Sequence, residues 1–574
     1  FYFFNLQFLQ KQFLKKITMS HLLYLLTALF IISNETCRSY VEHTVADLAT
    51  HLADATLLRR AAVVSLVLCS WALVVIASTH SRLRKNLALG LACGGIIAGA
   101  TDVYPAQTGW FTILSEWPFA SLLLLVVATK ILFDVVGQKI PSLDVPLKDA
   151  EASTDYAFFG LPDSKMEICD PAQPGFIQCF DPATAQKLGS VKIVTPDEVV
   201  DKVRKARVAQ AEWSNSTFEQ RRHVLRIMLK FILEHQDDIV RLCVRDSGKT
   251  ELGASFGEVL PSCEKIQWII DNGEHVLSPQ KRSAARLMMY KSAWVEYCPL
   301  GVLGIISPFN YPFHNFINHI ISGLFSGNAV CVKISEHTSW SAEYFSRFVS
   351  AALSEARDSG VVPMASPDLV QVITGLGPSG AALVSSGVDK IIFTGSTQVG
   401  RLVMHGAAKA NLTPCVLELG GKDPFIVLAD ADVDSVFKLL MRGVFQNCGQ
   451  NCIGVERVYT HSSIFESFVT TAIAKVSELR QGLPLSGSTC DLGATTMPGQ
   501  LAIIEELVTD AVASGARIVA GGQRRTDLGP GLFYEPTILV DVTHDMRIAK
   551  EEVFGPVMII MKFDDEVSTF VPVY

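Results

Sequence analysis

The chain has 574 residues, 49% of them hydrophobic, with 49 Lys and Arg against 57 Asp and Glu and a formal net charge of −8. That length exceeds one ordinary domain, and the acidic balance excludes a protein built on basic nucleic-acid contacts. The 13 cysteines include no CxxC pair and no Cys/His cluster at zinc spacing, so neither a metal site nor a disulfide framework is expected.

The apolar excess lies in residues 1–140. Met19 is the first methionine, and the aromatic, Gln-rich stretch before it reads as a translated leader or an error of gene prediction. Residues 22–33 are a signal-type apolar run. Residues 61–78 suit a span better, with 18 uncharged positions between Arg59-Arg60 and the basic group Arg82, Arg84 and Lys85. Residues 87–100 are Gly-rich and short, whereas 117–137 are long enough to cross, with Lys130 able to snorkel. The expectation is a membrane-anchoring region over 1–137 made of transmembrane helices. If 61–78, 87–104 and 117–137 all cross, the basic loop at 82–85 and everything beyond 138 face the cytosol. The sequon Asn34-Glu35-Thr36 then faces the lumen of the endoplasmic reticulum or another endomembrane compartment. If 87–100 does not cross, the catalytic region flips.

Residues 138–174 carry Pro141, Pro146, Pro162, Pro171 and Pro174 among many acids and read as a linker. Pro196-Asp197 opens a helical pattern reaching Trp213. A second stretch, 218–244, sets Val224, Leu225, Met228, Leu229 and Ile232 on one face. Asp246-Ser247-Gly248-Lys249-Thr250 resembles a phosphate loop, but Cys243 stands where that loop needs its first glycine. From Gly301 onward, short apolar runs at 302–306, 329–333, 369–374, 390–394 and 415–419 alternate with helical patterns near 311–326, 341–358, 378–386 and 397–410. Continuous apolar strands of this kind indicate a parallel sheet covered on both faces. The expected fold is α/β, a doubly wound parallel sheet that binds ligands at the carboxyl ends of its strands.

Motifs fall at those ends. Ser307-Pro308-Phe309-Asn310-Tyr311-Pro312 follows the first strand and Lys333-Ile334-Ser335-Glu336 the second. Phe393-Thr394-Gly395-Ser396 closes the fourth, and Glu418-Leu419-Gly420-Gly421 ends the fifth. The loop Phe445-Gln446-Asn447-Cys448-Gly449-Gln450-Asn451-Cys452 comes next, and Glu551-Glu552-Val553-Phe554-Gly555-Pro556 lies far downstream. A nucleophilic cysteine needs an activated thiol, space and oxyanion donors. Gly449 leaves space beside Cys452, and Glu418 offers a base to activate water. A lone cysteine is often an inert buried thiol and a lone glutamate a solvated acid, but the GQxC pattern around Cys452 and the strand-end Gly-Gly after Glu418 argue otherwise, while Asn310 can be a helix cap as well. Cys448 reads as a spacer, with a regulatory disulfide as a weaker alternative. Gly395-Ser396 at a helix start would aim backbone N–H groups at a pyrophosphate, although GSTQVG departs from the GxGxxG spacing.

Six motifs in this order resemble the aldehyde dehydrogenase superfamily over roughly 175–565. The Pro-Ser-Leu-Asp linker and the run from Asn310 to His337 look most like its membrane-linked plant and fungal branch. The resemblance implies a cofactor domain over 175–420, with an oligomerisation-type hairpin at 286–297, and a catalytic α/β domain over 421–574. It implies Cys452 as nucleophile, Asn310 with the Cys452 backbone N–H as oxyanion donors, and Glu418 as the base for thioester hydrolysis. It implies cofactor contacts at Ser307, Phe309, Lys333, Glu336, Gly395, Ser396, Val399, Leu419, Glu552 and Phe554. A carboxylate at Glu336 accepts a ribose 2′-hydroxyl and repels a 2′-phosphate, so NAD is favoured over NADP. The expected activity is membrane-anchored oxidation of aldehydes, lipid-derived ones in particular, to carboxylic acids. Family members continue past Tyr574 with a strand that pairs with the hairpin, so the chain reads as truncated and its homo-oligomer as doubtful. Two other readings stand beside this one: a CoA-acylating dehydrogenase, against which Glu418 argues, and an inactive scaffold or degraded gene copy.

Overall fold

Capping chemistry starts the first long helix. The Thr195 hydroxyl accepts the Glu198 N–H, the Glu198 carboxylate accepts the Thr195 N–H, and Pro196 occupies the first turn of the helix Pro196–Trp213. The computed structural model describes residues 140–163 and 165–564. The apolar segments expected to cross a membrane, and the last ten residues, lie outside these; among the described residues no helix is long and apolar enough to cross a membrane.

The described residues of 140–174 hold a short helix, Asp149–Ala152, a 3-10 turn, Tyr156–Phe159, and single bridges from Pro162 to Gln186 and from Cys169 to Ile177. This proline-rich stretch is nevertheless strapped to the core. Leu143 and Val145 are buried, buried Glu151 pairs with Arg347 at 2.6 Å, and Arg245 donates to the Thr154 carbonyl while stacking on Tyr156 and Phe159. Two antiparallel ribbons follow. The first pairs β1 (Phe176–Asp181) with β2 (Gln186–Lys192), and the second pairs β3 (Gln280–Arg282) with β4 (Ala293–Val295). The second starts at Gln280, before the hairpin expected over 286–297, and only its second strand falls within those bounds; Leu287, Met289, Tyr290 and Trp294 are exposed. The stretch 218–244 is two helices rather than one, Phe218–Glu234 and Gln236–Ser247, broken at His235 where φ is −119°.

The first main sheet contains β5 (Val302–Ile306), β6 (Ala329–Lys333), β7 (Val370–Ile373), β8 (Lys390–Thr394) and β9 (Cys415–Glu418). Their order is β7-β6-β5-β8-β9 with every pair parallel. Val302, Ile305, Val330 and Val332 are fully buried, as a sheet covered on both faces requires. The order reverses at β5, so the crevice for a ligand opens where β5 gives way to Ser307–Asn310 and β8 to Gly395.

The second main sheet contains β10 (Pro424–Val427), β11 (Arg457–His461), β12 (Arg517–Ala520), β13 (Thr537–Val540) and β14 (Val557–Phe563), in the order β10-β11-β14-β13-β12. Only β12 runs antiparallel. Ile538, Val540, Met558 and Ile560 pack into one apolar cluster with the helices Val433–Phe445 and Phe465–Ser477. Leu539, Ile559 and Met561 pack into another with the helix Pro498–Ala513. Alternate residues thus bury both faces.

Candidate active site

A cavity of about 190 Å³ lies where the carboxyl ends of the first sheet meet loops of the second. It brings together nine residues singled out from the sequence: Phe309, Asn310, Gly395, Ser396, Glu418, Leu419, Cys452, Glu552 and Phe554. Ser307, Lys333, Glu336 and Val399 stand outside its lining. Met497, Gln500 and Ile503 line it too, from the start of the helix Pro498–Ala513, and no motif marks them in the sequence.

Each loop is held by hydrogen bonds. Asn310 is 3% exposed; its amide donates to the Gln450 carbonyl at 3.1 Å and accepts from the Asn315 amide at 3.2 Å. Among the described residues that is the only hydrogen bond the Asn310 amide nitrogen donates, and Asn310 lines the cavity. Gln450 is fully buried and crosslinks its own loop, donating to Asn447 O at 3.1 Å and accepting the Thr496 N–H at 2.9 Å. Asn447 and Cys448 sit at φ 53° and 55°, conformations that side chains rarely adopt and that this bonding sustains. Gly449 does not make room for substrate. It is buried at φ +72°, and a Cβ there would meet the Gly555 carbonyl at 2.0 Å, so the glycine lets two backbones touch. Cys448 is buried and its thiol donates to Gly493 O at 3.1 Å, as a free cysteine.

Cys452 is partly exposed. Burial and then the Glu418 charge push its thiol above the ordinary value of 9.0, with Glu552 adding to them, while backbone N–H groups of Cys452 and Ile453 work in the other direction. Removing the Glu418 charge should therefore acidify the thiol. We expect Glu418→Gln to speed iodoacetamide alkylation of Cys452 at pH 8 without cofactor; an unchanged alkylation–pH curve would show that the two groups do not interact.

Glu418 is exposed at the end of β9, where its backbone carbonyl accepts the Gly395 N–H at 3.0 Å. Ser396 caps the helix Thr397–Ala410, its hydroxyl accepting the Val399 N–H at 3.4 Å. A Cβ at Gly420 would meet the Glu552 carboxylate at 2.0 Å, so a side chain there would displace that carboxylate. Burial, followed by the Glu456 charge, raises Glu552 to about 7. Phe554 stands at φ 50° with its ring edge-on to Phe309, 5.9 Å between centroids. Glu456 accepts the Val553 and Phe554 N–H groups at 3.1 and 3.0 Å while paired to Lys422 at 2.6 Å, and Gln500 donates to Val553 O at 2.7 Å. Neither Glu456 nor Gln500 is readable as a support from sequence, because their partners are main-chain atoms about 100 and 50 residues away.

Lys333 and Glu336 pair at 2.7 Å just beyond β6. Burial alone would raise the Glu336 carboxyl, but the Lys333 charge and hydrogen bond outweigh it and hold it below the usual range. Phe309 links this pair to the cavity, with its ring 6.2 Å from that of His337. A second ion pair, Lys249 with Glu258 at 2.5 Å, is fully buried. The rejected phosphate-loop lysine is therefore committed to a protein carboxylate. Removing one partner of such a pair costs about 3–5 kcal/mol.

The described residues fit a dinucleotide. They offer a capped helix N-terminus beside a glycine, a lysine–carboxylate pair at a strand end, and a carboxylate and aromatic ring beside the thiol.

The sequence matches the model of the aldehyde dehydrogenase family over residues 169–570. An aldehyde dehydrogenase-like protein of Saccharomyces cerevisiae is 43% identical over 410 residues, 69% of this chain and 62% of its own length. The chain thus spans under two thirds of that relative. An NADP-dependent enzyme of Escherichia coli superposes with a TM-score of 0.64 at 30% identity, over 70% of this chain and 80% of its own. An aldehyde dehydrogenase of Bacillus cereus in complex with NAD+ gives 0.63 at 27% identity, over 70% and 79%.

Proposed function

The chain belongs to the aldehyde dehydrogenase family, and on that premise we propose that it oxidises aldehydes to carboxylic acids through an acyl group carried on Cys452. The observation that carries this reading is that one cavity is lined by Cys452, Asn310 and Glu418 together. The Cys452 sulfur, once deprotonated, attacks the aldehyde carbonyl and forms a carbon–sulfur bond. The negative charge that develops on oxygen is met by the Asn310 side-chain amide and the Cys452 backbone N–H. When bound, a nicotinamide dinucleotide supplies the hydride acceptor. Loss of hydride leaves a thioester on Cys452. Glu418 then takes a proton from water, whose oxygen attacks the thioester; the carbon–sulfur bond breaks to release the acid and the Cys452 thiolate, and Glu418 passes its proton to solvent.

Lys333 and Glu336 would hold the adenosine ribose, Ser307 and Phe309 the wall beside it, Gly395, Ser396 and Val399 the pyrophosphate, and Leu419, Glu552 and Phe554 the nicotinamide end. NAD is preferred because the Glu336 carboxylate stays ionised beside Lys333 and opposes a 2′-phosphate. Glu336→Gln should raise kcat/KM with NADP about tenfold or more against NAD, as one charge contact of about 1.4 kcal/mol would do; unchanged NADP kinetics would remove the argument.

The substrates we propose are long-chain, lipid-derived aldehydes. Hydropathy over 61–78 and 117–137 supports a membrane anchor that would bring the site to them, with the catalytic region on the cytosolic face of an endomembrane. The exposed apolar hairpin supports self-association. Reduced cofactor forming from a long-chain aldehyde without CoA, with one equivalent of acid, is the expected result. Strict dependence on CoA, or a preference for short soluble aldehydes, would contradict it.

A further inference from the structure

The buried Lys249–Glu258 pair lies outside the motifs that mark the reaction, yet its hydrogen bonds end on the catalytic loops. Lys249 Nζ donates to Glu258 Oε1 at 2.5 Å and to the Asn310 main-chain carbonyl at 2.8 Å, and it sits 4.2 Å from the centroid of the Tyr311 ring. The other Glu258 oxygen accepts the N–H groups of Phe313 and His314, at 3.0 and 2.8 Å. These open the helix Pro312–Phe325. The pair therefore clamps both ends of the turn that carries Asn310.

The same segment reaches the cysteine loop. Gly248 O accepts the Ala494 N–H at 2.9 Å and Ser247 O accepts the Thr496 hydroxyl at 2.9 Å. Thr496 in turn donates its N–H to Gln450 Oε1 at 2.9 Å. Asn310 reaches the same loop directly: its amide donates to Gln450 O, and its carbonyl accepts the Asn447 amide at 2.8 Å. Two routes thus converge on Gln450, two residues before Cys452. A buried ion pair kept only for stability could be replaced by packed apolar groups without loss. This one spends both partners on main-chain atoms of residues 310, 313 and 314.

We propose that Lys249 and Glu258 are positioning residues that hold the Asn310 amide against Cys452, so that losing the pair slows acylation while leaving the thiol's own reactivity intact. The proposal rests on the role given to Asn310 above. It predicts that Lys249→Met/Glu258→Gln, which removes both charges together, slows cofactor-free acylation of Cys452 by p-nitrophenyl acetate about tenfold or more, as a displacement of less than 1 Å would. Alkylation of Cys452 by iodoacetamide, which develops no oxyanion, should stay within about twofold of the full wild-type chain. Adding Asn310→Ala to the pair variant should slow acylation no further than Asn310→Ala alone. Wild-type acylation in the folded pair variant would overturn the proposal, as would losses that multiply in the combined variant. Glu258→Gln alone keeps an acceptor for Phe313 and His314 and should show a smaller, same-sign loss. If neither variant folds, the pair serves the fold and the proposal falls. If Asn310→Ala acylates at the wild-type rate, the Asn310 reading fails first, whatever the pair does.

Discussion

Replacing Cys452 by serine is expected to lower aldehyde oxidation by about 10⁴-fold or more. The reaction needs an anionic nucleophile in a pocket where burial and the Glu418 charge already oppose ionisation of a thiol. A hydroxyl, far less acidic to begin with, would meet the same opposition. The side chain is partly exposed, and among the described residues no other side chain hydrogen-bonds to it, so cofactor affinity by calorimetry and the melting temperature should stay near wild type. Cys448→Ser is the control. Its thiol donates to Gly493 O, a hydroxyl can donate there as well, and activity should fall only slightly. Wild-type turnover in Cys452→Ser would end the covalent mechanism.

Glu418→Gln is expected to divide the reaction in two. Attack and hydride loss use Cys452 and Asn310, whereas hydrolysis needs a proton acceptor for water. Steady-state turnover should fall about 10²–10⁴-fold, the usual contribution of a general base. The first turnover should still release close to one reduced cofactor per site, seen as a burst in stopped flow. A slow first turnover without a burst would mean that Glu418 also takes the Cys452 proton. Full steady-state turnover would mean that another group activates water, and Glu552, raised to about 7 in the same cavity, would be the next to test.

The first sheet was legible because its strands are continuous β-branched runs that need no partner to be recognised. The bounds of β5, β6 and β8 coincide with the runs at 302–306, 329–333 and 390–394. The second sheet was not read as strands. Its strands are short at β10 and β12, and its longest, β14, follows a motif that draws attention to the loop instead. The break at His235 was hidden because apolar periodicity runs on through it. The motifs gave the residues that face the cavity, since chemistry restricts which side chains can stand there. They could not give Lys249, Glu258, Glu456 or Gln500, which act on backbone atoms distant in sequence. Gly449 was misread for the same reason, because its neighbour Gly555 lies over a hundred residues along the chain.

The most direct test traps the acyl enzyme. The Glu418→Gln chain, given NAD and a long-chain aldehyde and quenched in acid after one turnover, should yield a peptide spanning 445–454 that is heavier by the acyl group. Fragmentation should locate the acyl group on Cys452. Reduced cofactor formed in stoichiometric amount with no adduct on that peptide, or with the adduct on Cys448, would contradict the account.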